Sequence, residues 1–366
     1  MPIETVTLLV VAAMLLLMLA GVPLAWIMMT IAVTCTLAWL GPAGLPLVAS
    51  RVYGFVSEYV FVAVPLFVLM ACILERSGVA KDLYDAMRLL AGRLPGGVAV
   101  QTTLVAIVMA AMTGIIGGEV VLLGLIALPQ MLRLGYDRRL AIGVICAGGS
   151  LGTMIPPSVV LLVYGLTAGV SIGDLFLAAV LPGLLLGSLY VGYVMLRCWA
   201  NPALGPPAPP EELDVPLAEK LRLLKGLILP ILIIVWVLGS IYGGIASVTE
   251  SAGVGCVGAI LSAAIRRELT LGMLKGALIQ TMTTVGVIIW LTLGANAFIG
   301  IYNIMGGTGY LRGLIGGLPL PPLAIVLVMM LILLVLGSII DWIGICLLTM
   351  PIFVPVIKAL GYDPVW

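Results

Sequence analysis

The 366-residue sequence has no histidine, and only 9% of its residues are charged. Without histidine there is no imidazole to serve as metal ligand, general base or proton relay. Its six cysteines (Cys35, Cys72, Cys146, Cys198, Cys256 and Cys346) are scattered and form no CxxC pair, which argues against a zinc or iron–sulfur site. Five of them lie in apolar runs, where they act as small hydrophobes. A Walker A pattern is missing, so ATP hydrolysis is not expected. An intramembrane enzyme is disfavoured too, because there is no HExxH and no convincing Ser/Lys or paired-Asp constellation. The net charge is +1 and no basic patch carries interleaved aromatics, so nothing points to nucleic acid.

What fills the chain instead is apolar. Hydrophobic residues make up 63% of it, and its mean hydropathy is +1.29. Soluble domains sit near roughly 45–50% apolar and about 25% charged, so the composition is that of an integral membrane protein. Runs near the roughly 20 residues that cross a bilayer recur along the chain, beginning with Thr5–Ala20, Val22–Leu40 and Tyr59–Leu74. The first is not expected to be a signal peptide. Glu4 is its only charge, and the apolar stretch continues to Leu40, so it reads as retained helix broken near Gly21-Val22-Pro23.

A phrase repeats at long range: Pro129…Leu134-Gly135-Tyr136-Asp137 returns as Pro355…Leu360-Gly361-Tyr362-Asp363. An echo with an offset of 226 residues implies two related halves rather than short stacked repeats. Paired halves in an apolar chain point to a transporter with its site at the pseudo-symmetry axis.

The positive charges supply a topology. Fourteen of the 17 Lys and Arg residues fall into four groups, around Arg76–Arg93, Arg133–Arg139, Arg197–Lys225 and Arg266–Lys275. The positive-inside rule places all four on the cytoplasmic face. The apolar segment between the first two groups must then enter and leave on one side. It is expected to form a re-entrant hairpin over 95–132, with Thr113-Gly114-Ile115-Ile116-Gly117-Gly118 at its tip. Such irregular backbone survives at membrane depth only when buried in protein or lining a cavity.

By alternation the first repeat spans 1–200: scaffold helices 1–94, the hairpin, a broken helix 140–167 and a return helix 175–197. A Pro-rich, acidic cytoplasmic linker covers 201–225. The second repeat, 226–366, has scaffold helices 226–303 and an oppositely facing hairpin 319–357 with its tip at 337–344. Its own broken helix is expected near 374–384, past the last residue, so the chain reads as truncated. Lys81–Arg93 is expected to be an amphipathic cytoplasmic helix.

Chemistry concentrates in a few places. Gly148-Gly149-Ser150-Leu151-Gly152-Thr153-Met154-Ile155-Pro156-Pro157-Ser158 interrupts an apolar span and should break its helix. The exposed carbonyls would suit Na⁺, and the N–H end of the next half-helix would suit a carboxylate. A packing kink with no ligand is the plainer alternative. Glu119 and Asp341 lie at the two tips; each either caps the following helix or binds a cation or proton. Glu250 has capping-box spacing from Ser247. The Asn296 amide, in an apolar run, is more simply interhelical glue than a ligand contact.

The stretches Gly21-Val22-Pro23, Val64-Pro65-Leu66-Phe67, Gly92–Gly97, Pro129…Asp137, Gly149–Ser158, Thr249–Gly255 and Asp341–Pro355 together resemble the large membrane subunit of tripartite ATP-independent periplasmic (TRAP) transporters. The first tip departs from the Ser-Gly-Ser-rich form of many members, offering the single hydroxyl of Thr113. The resemblance implies an all-α polytopic inner-membrane protein with inverted repeats, two re-entrant hairpins and broken helices. It implies Na⁺-coupled elevator import of a small organic acid, such as a C4-dicarboxylate, a 2-oxo or hydroxy acid, or a sialic-acid-like molecule. The implied partners are a small four-helix membrane subunit and a periplasmic substrate-binding protein, with no organic cofactor. A stand-alone sodium/dicarboxylate elevator needing no binding protein is the alternative. Candidate Na⁺ and substrate contacts are Thr113, Gly114, Gly117, Gly118, Ser150, Gly152, Thr153, Pro156 and Pro157 in the first half. Ser338, Asp341 and Gly344 are their counterparts in the second, with Glu119 and Asn296 as further candidates.

Overall fold

The computed structural model describes residues 2–91, 94–114, 118–207, 228–317 and 320–366. Gly117 of the first tip and most of the linker therefore lie outside the described residues, which contain helices and no strand. The helices are α1 (Ile3–Leu19), α2 (Leu24–Leu40), α3 (Leu45–Val56), α4 (Ala63–Arg76), α5 (Val79–Ala91), α6 (Gly97–Thr113), α7 (Gly118–Arg133) and α8 (Arg138–Ser150). They continue with α9 (Val159–Ala168), α10 (Ile172–Ala200), α11 (Ile228–Tyr242), α12 (Val248–Ile265), α13 (Leu271–Ile304), α14 (Gly307–Gly316), α15 (Pro322–Gly337) and α16 (Trp342–Ala359). Among the described residues, five helical stretches are long and apolar enough to cross a membrane: Tyr59–Arg76, Ile172–Ala200, Val248–Ile265, Leu271–Ile304 and Trp342–Ala359.

Pro and Gly punctuate these helices as steric rules require. Gly21, at φ +81°, ends α1, and Pro23 sits at the N-cap of α2. Both copies of the echoed phrase close a helix in the same way. Gly135 and Gly361 adopt φ +81° and +82°, while Tyr136 N–H donates to Met131 O at 3.0 Å and Tyr362 N–H to Ile357 O at 3.1 Å. This is the Schellman arrangement, in which a left-handed residue turns the chain back onto the last helical carbonyls.

Two compact units interleave along the sequence. One comprises Met1–Phe61, Val163–Ser171 and Thr284–Trp366; the other comprises Val62–Leu162 and Ile172–Thr283. In the first unit α1 packs on α2 and α14, and α16 packs on α14 and α15. Trp26 meets Trp290 edge to face at 4.9 Å, and the Thr7 and Tyr302 hydroxyls bond at 2.8 Å. Ile325 and Met329 of α15 bury against Phe353 and Val356 of α16.

In the second unit α4 packs most extensively on α12, where a Cβ added at Gly255 would stand 2.5 Å from Met70 Sδ. Helix α6 is its centre, contacting α4, α5, α7, α8, α10 and α11. Helix α5 has the expected two-sided character: Leu83 and Ala86 are fully buried while Lys81 is exposed. Asp82 on α5 pairs with Arg266 at 2.6 Å, and Arg266 Nε also donates to Ser77 O at 3.0 Å.

The start of α12 bears out the capping box. Glu250 N–H donates to Ser247 Oγ at 3.3 Å, and Ser247 N–H donates to Glu250 Oε2 at 2.7 Å. Ser247→Ala is therefore expected to cost about 1 kcal/mol, seen as a lower thermal midpoint of the solubilised protein. Glu250→Gln keeps both bonds possible and should fall well short of that. Equal losses from the two changes would mean that the Glu250 charge, rather than the cap, is what matters.

Candidate functional site

The site begins where α6 stops. Gly114 takes up φ +60° and its N–H donates to Ala110 O at 3.1 Å. Its carbonyl accepts from Val159 N–H at 3.1 Å, tying the tip after α6 to the start of α9. The approach is close: a Cβ at Gly114 would lie 2.1 Å from the Pro157 carbonyl oxygen.

The interruption between α8 and α9 falls within the expected Gly148–Ser158 stretch, towards its proline end. Helix α8 runs through Gly148 and Gly149 to Ser150, followed by a 3-10 turn over Leu151–Thr153. The prolines make the break, because Pro156 and Pro157 have no N–H to continue a ladder; the peptide between them is cis. The two glycines are instead packing positions. A Cβ at Gly149 would stand 2.2 Å from Val120 Cγ2 of α7, and one at Gly148 would stand 2.9 Å from Ala106 Cβ of α6.

The hydroxyls around the break all donate to main-chain carbonyls. Ser150 Oγ donates to Ala147 O at 2.8 Å, Thr153 Oγ1 to Ser150 O at 2.7 Å, and Ser158 Oγ to Thr153 O at 2.7 Å. Each keeps oxygen lone pairs for another partner, so these groups can ligate a cation without giving up their bonds.

Glu119, in the first turn of α7, is only 2% exposed. Thr113 Oγ1, which also contacts Met109 O at 3.1 Å, donates to Glu119 Oε1. Glu119 Oε2 is buried and has no hydrogen-bond partner among the described residues. It points at the break, since a Cβ added at Gly152 would stand 3.2 Å from it. A buried carboxylate oxygen left unpaired is costly unless a cation or donor meets it.

Sequence reasoning passed over a second acid. The Glu75 carboxylate lies over the first turn of α7, with its oxygens 3.1 and 3.2 Å from where a Cβ of Gly118 would be. Gln280 Nε2 donates to Glu75 Oε2 at 3.0 Å, and Arg76 donates to Gln280 Oε1 through Nε at 3.1 Å and Nη2 at 2.8 Å. The guanidinium thus reaches Glu75 only through an amide. The signal that could have found it is an acid in the last turn of an apolar helix, beside Arg76.

Thr113, Gly114, Gly118, Glu119, Ser150, Gly152, Thr153, Pro156 and Pro157 thus gather around one break. The donor set is all oxygen, and no group of three His, Cys, Asp or Glu that could hold a metal ion occurs among the described residues. Such a set fits a hard monovalent cation.

The second-half candidates lie in the other unit. Asp341 is the N-cap of α16, accepting from Ile343 N–H at 3.4 Å, which is the capping reading of that acid. Ser338 is exposed and donates to Val335 O at 2.7 Å. Gly344 is a packing position, where a Cβ would stand 2.4 Å from Leu24 Cδ2. Asn296 Nδ2 donates to Thr292 O of its own helix at 2.9 Å.

Comparison with known proteins agrees with this architecture. The family profile described as "Tripartite ATP-independent periplasmic transporter, DctM component" matches residues 11–366. The C4-dicarboxylate TRAP transporter large permease protein DctM of Pseudomonas aeruginosa is 30% identical over 90% of this chain and 76% of its own length. The 2,3-diketo-L-gulonate TRAP transporter large permease protein of Escherichia coli is 26% identical, covering 94% and 80%. The sialic acid TRAP transporter large permease protein of Vibrio cholerae is 28% identical, covering 95% and 80%. Among solved structures, the YdaH transporter of Alcanivorax borkumensis shares the fold with a TM-score of 0.58 at 18% identity, over 88% of this chain and 75% of that one.

Proposed function

Because this chain belongs to the DctM component family of tripartite ATP-independent periplasmic transporters, a family of transporter subunits and not of enzymes, we propose that it carries a small organic acid inward together with Na⁺. It is a multi-pass protein of the bacterial inner membrane. The observation that carries the coupling is Glu119 Oε2, buried without a partner and aimed at Gly152 across the Pro156-Pro157 break. Na⁺ held there, with the Thr113, Ser150 and Thr153 oxygens and main-chain carbonyls in reach, offsets the charge that the fold leaves uncompensated.

The rest of the reading extends from that point. The segments 95–132 and 319–357 act as oppositely oriented re-entrant hairpins of an inverted repeat, in keeping with the charge groups and the echoed helix endings. The substrate carboxylate meets hydroxyls and the positive end of α9. Loaded and unloaded carriers differ because unmet oxygens penalise partial loading, and this difference lets the moving part slide as an elevator. A periplasmic binding protein delivers the substrate and a small membrane subunit completes the transporter. Relatives named for a C4-dicarboxylate, a sugar acid and sialic acid support an acidic cargo.

The test is uptake by the full reconstituted complex, with cargo identified as the ligand bound to its partner binding protein. Abolishing the inward Na⁺ gradient is expected to cut the initial rate at least about tenfold, which corresponds to about 1.4 kcal/mol. A rate unchanged without the gradient would sink the coupling.

A further inference from the structure

Away from the break, the unit formed by Val62–Leu162 and Ile172–Thr283 contains a cleft of about 690 Å³ between α8, α10 and the turn around Leu204. Its lining is graded from one end to the other. Arg139 and Arg197 stand at one end, Ala147 of α8 and Leu186 of α10 mark the other, and Tyr193 and Tyr190 lie between them on α10. The Arg197 guanidinium lies over the Tyr193 ring, 6.0 Å from its centroid. Neither arginine has a carboxylate partner among the described residues. The one acid in the lining, Asp137, is engaged in accepting from Leu140 N–H at 3.0 Å.

Two guanidiniums without a carboxylate partner among the described residues and two tyrosines therefore line a space whose remaining walls are mostly apolar. That combination calls for a ligand with an anionic, acceptor-rich head and a hydrocarbon body. The depth of the cleft points to the kind of body. From Arg139 to Ala147 along α8 is about 12 Å, and from Arg197 back to Leu186 along α10 about 16 Å, at 1.5 Å per residue. Half of a hydrocarbon core of roughly 30 Å is about 15 Å, so the apolar wall matches one leaflet. Both arginines belong to groups that the positive-inside rule places in the cytoplasm, where anionic headgroups gather at basic pockets between helices.

We propose that this cleft is a binding site for one anionic phospholipid of the cytoplasmic leaflet. The phosphate sits between Arg139 and Arg197 and accepts from the tyrosine hydroxyls, and an acyl chain lies along α8 and α10. The site stands on the cleft and its charges and does not depend on the transport reading.

The test uses the intact transporter complex, purified and exchanged into defined lipid. Phosphatidylglycerol, phosphatidylethanolamine with the same acyl chains, and inorganic phosphate are compared by native mass spectrometry and thermal shift. Phosphatidylglycerol is expected to be retained at least about tenfold better than phosphatidylethanolamine. Arg139→Gln and Arg197→Gln should each weaken retention about fivefold, the ratio for about 1 kcal/mol per basic residue at a membrane surface. A second arm leaves the charges alone. Gly143 lines the cleft with nothing within 4 Å of an added Cβ, so Gly143→Phe should fold and should displace the acyl chain of either lipid. Equal retention of the two lipids, or phosphatidylglycerol retention unmoved by either arginine change, overturns the proposal. So does stabilisation by inorganic phosphate equal to that by phosphatidylglycerol, which would make this a small-anion site.

Discussion

Gly114→Ala is expected to abolish most uptake and to lower the thermal midpoint of the assembled transporter. Two effects add. Gly114 holds φ +60°, where a Cβ costs an L-residue about 1–2 kcal/mol. That Cβ would also stand 2.1 Å from the Pro157 carbonyl oxygen, and relieving such an overlap costs about 1–3 kcal/mol more. The only relief is to move the end of α6 away from the break, which loosens the bond between Gly114 O and Val159 N–H. The expected total is about 2–5 kcal/mol, centred on the proposed cation site. Gly169→Ala is the control: φ there is +63° but nothing lies within 4 Å, so only the backbone strain applies. Thermal midpoints of the two variants in the same detergent separate the effects. If they coincide, the Pro157 contact has slack and the site is looser than described.

Glu119→Gln should produce two changes of opposite sign. In Na⁺-free buffer the neutral amide relieves an unmet buried carboxylate, so the variant should unfold at higher temperature than the parent, by an amount on the order of 1–3 kcal/mol. On adding Na⁺ the parent should gain stability and the variant should gain little, because stabilisation by a ligand follows its affinity for the folded state. Uptake should fall at least about tenfold, with the half-saturating Na⁺ concentration raised. The measurement is thermal unfolding of the full complex in matched Na⁺ and choline buffers. A Na⁺ response of equal size in both proteins, or a destabilised variant in choline, removes Glu119 from the site.

The two tip acids show how far sequence could reach. Glu119 and Asp341 occupy matching places in the sequence reading, each beside a Gly-containing interruption and each able to cap a helix. The structure gives Asp341 the capping bond, while Glu119 accepts from Thr113 and its carboxylate lies beside Gly152. No local pattern separates them, because the difference lies in what α8 and the break present from across the fold. Where the break falls within Gly148–Ser158 has the same origin. Glycine inside a helix reads as weakness in sequence, yet Gly148 and Gly149 stay helical because close contact with Ala106 and Val120 compensates for their low propensity. Glu75 was missed because its role depends on Gln280, some two hundred residues away.

What the sequence determined by itself was everything governed by local or bulk chemistry. Its apolar content made a membrane protein of helices, since backbone groups in lipid must bond within their own segment. Proline and left-handed glycine set several of the helix ends, down to the same Schellman exit at Gly135 and Gly361. Tertiary structure alone decided which polar groups were left without partners. Whether an oxygen is satisfied is a property of every neighbour it meets, and the neighbours of Glu119 Oε2 come from separate segments of the chain.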